Sequence, residues 1–161
     1  MSNVSLGGVQ ASEKEQAAEE SVSKASDFLI HGGNTTMNFM KPYAEHTYAL
    51  MRIISGFLFI WHGSQKLLGY PPMEMSPPAF IVYGAGSIEL IGGALIMIGL
   101  FTAPVAFLAS GLMAAAYWMA HGMKELLPIS NHGELAVLYC FVFLYISTKG
   151  SGMWSVDSMR S

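Results

Sequence analysis

Four apolar runs, parted by breaks of proline, glycine and a few polar residues, constrain this chain more than any other feature. The first, Arg52 to Gly69, reads RIISGFLFIWHGSQKLLG and is stopped by Gly69-Tyr70-Pro71-Pro72. Proline lacks the backbone N–H that a helix interior needs. The second run, Ala79 to Phe101, reads AFIVYGAGSIELIGGALIMIGLF; the third extends from Pro104 to His121 and the fourth from Gly133 to Thr148. At about 1.5 Å per residue, some 20 apolar residues cross a hydrocarbon layer of about 30 Å. The pattern predicts spans over 47–68, 79–101, 104–121 and 133–148, the last one short. Only 12% of the residues are charged and 52% are hydrophobic, where a soluble domain holds about 25% charged residues. The expected fold class is all-α: an integral membrane four-helix bundle over 46–161, surrounded by membrane lipid, with a polar N-terminal arm over 1–45.

The arm holds three lysines against six acidic residues, whereas 46–161 hold five of each sign. Its first eleven residues, rich in Ser, Gly and Asn, are expected to be disordered. Ser12 with Glu15 three positions on fits a capping box, so EKEQAAEESVSKASDFL is expected to be either a polar helix of about four turns or a solvated flexible arm. His31-Gly32-Gly33-Asn34 should end it. No basic stretch followed by an apolar one opens the chain, so no cleavable signal peptide is expected. No basic stripe suggests a nucleic acid partner. The single cysteine, Cys140, lies in an apolar run and excludes an intrachain disulfide.

Short connections make the four spans alternate in direction. The end of the first, the start of the second, the end of the third and the start of the fourth then share one side. His62, Lys66, His121, His132 and Glu134 all fall there. His62 and Lys66 are four apart, on one helix face. Glu89 lies about ten residues into the second span, about 14 Å deep. An ionisable group at such depth costs a few kcal/mol, so each is a functional candidate. Together they predict a polar funnel that opens on one side and ends at Glu89, which is either protonated or paired with Lys66 or His62. Small residues beside it, Gly92 and Gly93 in the second span and Ala114 to Ala116 in the third, predict close helix packing. At the opposite ends, Arg52 and Asp157 are expected to form a structural ion pair.

Charge sets the orientation. Lys41, Arg52, Lys149 and Arg160 lie on the side away from the funnel, against Lys66 and Lys124 on the funnel side. The positive-inside rule places both termini in the cytoplasm and the funnel outside. The histidines and glutamates near the mouth include donors that zinc or iron accepts. No HxxxH, HExxH or CxxCH spacing occurs, so neither a metal site nor a built-in cofactor is assigned.

Several short motifs recur in order along the spans. They are Arg52-x3-Gly56, Phe59-Ile60-Trp61-His62-Gly63-x2-Lys66, Glu89-x2-Gly92-Gly93 and Gly99-Leu100-x-Thr102, followed by His121, Asn131-x-Gly133-Glu134, Gly150-x-Gly152 and Ser155-x-Asp157. The ordered set resembles the DoxX family over residues 48–157. Two positions depart from the family pattern: Ala103 stands where arginine is common, and His132 replaces the middle glycine of Asn-Gly-Gly-Glu. The resemblance implies a bacterial or archaeal inner-membrane protein of four helices, associated with thiosulfate:quinone or related oxidoreductases. On that basis the expected ligand is a quinone or a small substrate such as an anionic sulfur compound. His62, Lys66 and Glu89 are the expected catalytic residues, and His121, Asn131 and Glu134 the expected substrate contacts. Electrons would come from a soluble or membrane redox partner, since no flavin or iron–sulfur motif occurs in the chain, and a homo-oligomer fits equally. Two other classes stay open: a non-enzymatic membrane scaffold, and a small proton-coupled transporter with Glu89 as its relay.

Overall fold

A computed structural model describes residues 6–31, 39–74, 77–123 and 125–160. The chain divides into two units, Met1–Pro42 and Tyr43–Ser161. In the first, helix α1 spans Leu6–His31. It starts before Ser12, so Ser12 lies inside the helix rather than at its cap, and much of the stretch expected to be disordered is helical. The expected break at Gly32-Gly33-Asn34 lies outside the described residues. Lys24 pairs with Glu20 at 2.6 Å along the exposed surface, an arrangement worth only about 0.3–0.5 kcal/mol.

The second unit holds α2 (Ala44–Leu68), α3 (Ala79–Ile98), α4 (Thr102–Gly122), α5 (Pro128–Asn131), α6 (Glu134–Lys149) and α7 (Val156–Arg160). Among the described residues all regular structure is helical. Helices α3 and α4 are long and apolar enough to cross a membrane. Helix α2 has the length, but Arg52, His62 and Lys66 dilute its apolar character. Helix α6 has 16 residues, short of the roughly 20 that a straight crossing needs. The outward faces of both are nonetheless apolar, with Leu50, Ile54 and Phe57 exposed on α2 and Leu135, Leu138 and Phe141 on α6.

Helix α2 packs along α3, and α4 along α6. Gly63 lets the first pair approach: a Cβ there would lie 2.3 Å from the backbone nitrogen of Leu90. The core forms where α2 meets α6. Phe59 lies 4.7 Å from Phe143, ring to ring, and Tyr139 stacks on Phe143 at 5.4 Å and 11°. Tyr48, Ile96, Ala106, Ala109, Met113 and Ile146 complete this cluster. Between helices surrounded by lipid, such contacts stabilise through close packing rather than through removal from water. Helix α3 ends at Ile98, three residues earlier than expected, because Gly99 adopts a left-handed φ of 74°, which glycine accepts without steric cost.

After α6, residues 150–157 form a strap across the ends of α2, α3 and α4. Arg52 is fully buried. Its Nη1 donates to the Ile96 and Met97 carbonyls at 2.7 and 2.8 Å, and its Nη2 to those of Met153 and Trp154 at 3.2 and 2.8 Å. Asp157 accepts from the backbone N–H of Phe101 and Thr102 at 3.1 and 3.2 Å, and from the Thr102 hydroxyl at 3.3 Å. The tyrosine hydroxyl of Tyr48 donates to Gly150 O. The expected Arg52–Asp157 ion pair is therefore absent from the described residues. The last carbonyls of a helix and the first N–H groups of the next lack partners within their helices. The two charges satisfy those groups instead of each other.

Candidate functional site

Lysine and glutamate meet near one end of the α2–α3 contact, two residues before α2 stops. Lys66 Nζ donates to both oxygens of Glu89, at 2.9 and 2.6 Å. The glutamate side chain is 4% exposed and the lysine 17%. Gly63 sets the register, because it lets the α3 backbone lie against α2 one turn before Lys66. Glu89 stands in a π-helical stretch, Ile88–Gly92, and a second such stretch, Ile81–Ala85, precedes it. These wide turns are rare and frequently mark functional sites. Of the two pairings open for Glu89, the structure adopts the one with Lys66.

The pair forms the floor of a cavity of about 610 Å³ between α3 and α4. Lys66 and Glu89 are its charged lining residues; the walls are Phe80, Ile81, Gly84 and Ala85 from α3, and Leu112, Ala115, Ala116 and Met119 from α4. Helix α4 also ends in a π stretch, Tyr117–Gly122. Sequence reasoning assigned Ala114 to Ala116 to close packing. Two of those alanines instead leave space, and the alternation of small residues on two facing helices was the available signal.

The other candidates do not converge on this cavity. His62 is half-buried, and its ring meets Tyr139 of α6 edge-on at 6.1 Å. It thus contacts α6 while Lys66, one turn on, contacts α3. His121 Nδ1 lies 2.8 Å from the carbonyl of Asn131. The Asn131 amide donates to Glu125 O at 2.6 Å and to the Tyr117 hydroxyl at 3.3 Å, and its oxygen accepts from the Gly133 N–H at 2.7 Å. Those bonds fold the connection between α4 and α6, where a helical turn, α5, stands in what was expected as a loop. Glu134 is exposed at the first turn of α6 and borders a shallow groove with Pro128, His132 and Phe141. The single funnel expected from hairpin topology is thus divided into three places. Hairpin topology fixes which end of a helix a residue occupies, and it leaves open which neighbour the residue faces. Among the described residues no three histidine, cysteine or carboxylate side chains lie close enough to share a metal ion.

Comparison with known proteins places this arrangement. The family model described as DoxX matches residues 47–122, which hold α3, α4 and the Lys66–Glu89 pair. A Haemophilus influenzae protein named "Uncharacterized protein" is 38% identical over 131 residues, covering 76% of this chain and 96% of that one. The chain belongs to the DoxX family. A Bacillus subtilis protein named "Putative oxidoreductase CatD" is 28% identical over 113 residues, covering 67% of this chain and 82% of that one. No solved structure matches the chain. The DoxX match ends at Gly122, so the strap and the α6 contacts described above lie beyond it.

Proposed function

We propose that this DoxX protein is a four-span protein of a bacterial inner membrane, termini in the cytoplasm, acting as a redox subunit that binds a quinone head group at Lys66 and Glu89. The observation that carries the reading is the buried ion pair on the floor of an otherwise apolar cavity of about 610 Å³. Ligand pockets commonly combine apolar walls with a few placed polar groups. An ammonium has three N–H donors, and two of those on Lys66 are directed to Glu89. The third is available to a quinone carbonyl oxygen. Reduction of a quinone takes up two electrons and two protons. The electrons come from a partner subunit. Lys66 and Glu89 are the groups beside which the two protons enter. The name of the Bacillus subtilis relative supports a redox role.

The test is titration of a decyl-chain quinone into protein purified in mild detergent. Wild type is expected to bind, and Lys66→Met and Glu89→Gln to weaken binding at least tenfold with secondary structure retained. Equal affinity in all three would remove the pair from the site.

A further inference from the structure

We infer that the cavity is reached sideways from the lipid, between α3 and α4, and therefore selects a membrane-dissolved amphiphile over any water-borne anion. The inference rests on the quinone reading for the ligand, and on the cavity alone for the route. The expected path was a polar funnel from the outer surface. In the structure the residues of that funnel are engaged elsewhere: Asn131 and His121 bind each other and the α4–α6 connection, and Glu134 borders another groove. None of them lines the cavity.

The walls that remain are apolar, and two of them face outward. Phe80 is 66% exposed and Met119 58%. Between them lie Gly84, Ala85, Ala115 and Ala116, too small to close the gap. A Cβ added at Gly84 would meet nothing within 4 Å, so the gap continues past that residue. An oxyanion crossing this wall would shed its hydration with no polar partner until it met Lys66, whose counter-ion is already present. A neutral ring carrying a carbonyl loses little on the same path. The more exposed member of the pair is the lysine, so an acceptor arriving along this route meets the ammonium first.

Two measurements test this in proteoliposomes. A nitroxide at Gly84→Cys, in a Cys140→Ala background, should collide freely with lipid-soluble oxygen and poorly with a water-soluble nickel chelate. Strong nickel broadening would overturn lateral access whatever the ligand is. The second measurement is quinone affinity in Gly84→Leu and in Glu134→Gln. Gly84→Leu fills open space and leaves the pair untouched; at least tenfold weaker binding is expected, with less than a twofold change in Glu134→Gln. The reverse order would assign the route to the outer mouth. Oxygen access with no quinone bound by the wild type would leave the lateral opening standing and overturn the quinone reading alone.

Discussion

Removing one partner from the Lys66–Glu89 pair should harm the protein far more than removing both. At 2.6 Å and an effective dielectric constant near 20, two unit charges attract by about 6 kcal/mol. Desolvating both ions costs several kcal/mol each, so the intact pair contributes little net stability. The single substitutions expose those hidden terms. Lys66→Met leaves a carboxylate that is 4% exposed without its cation, at a loss of about 3–5 kcal/mol. Glu89→Gln leaves an ammonium that is 17% exposed on a flexible stem that can reach toward solvent, and the loss should be nearer 1–3 kcal/mol. The double variant Lys66→Met/Glu89→Leu should fall within about 1 kcal/mol of wild type. The coupling is then about 3–8 kcal/mol, a range that brackets the Coulomb attraction. Equilibrium unfolding in mixed detergent micelles, followed by circular dichroism, measures all four proteins. A double variant whose loss equals the sum of the two single losses would refute the reasoning, as would equal losses in the two singles.

The other predictions concern packing, the strap and orientation. Gly63→Ala pushes a methyl to within 2.3 Å of the Leu90 nitrogen; a loss of about 1–3 kcal/mol is expected in the same unfolding assay, together with weaker quinone binding. The backbone N–H of Thr102, helped by that of Phe101, holds the Asp157 carboxyl below its ordinary range. Its folded pKa is thus lower than its unfolded one, so its stabilisation is full above about pH 4 and is lost as pH falls through the folded value; melting curves between pH 2 and pH 7 should show an acid limb that Asp157→Asn flattens. In whole cells, a cysteine at Glu74 should react with an impermeant thiol reagent and one at Ser158 should not, and the opposite pattern would reverse the orientation.

The helices were legible because each rests on a local rule. Gly69 and Gly99 end α2 and α3 by backbone conformation, and the prolines at 71, 72, 77 and 78 exclude helix between them. Lys66 and Glu89 stood out because charge within an apolar run has few explanations. Their pairing was one of two that the sequence left open, and the choice depends on Gly63, a close approach that involves residue 90. Asn131 was read as a ligand contact from its place in a motif, yet its hydrogen bonds serve the turn around it. The small walls of the cavity were the least legible part. Alanine on a helix is compatible both with tight packing and with empty space, and only the facing helix decides between them.

The strap has a consequence for how the chain is made. Arg52 belongs to α2, but two of its four carbonyl partners are Met153 and Trp154. Those residues follow, in the chain, every helix that they fasten. Until they are made a buried guanidinium waits half-satisfied, and the N–H groups that open α4 wait for Asp157. The contacts that join the ends of α2, α3 and α4 can therefore close only after α6 has been made. Removing residues 150–161 would keep every apolar helix and lose that closure.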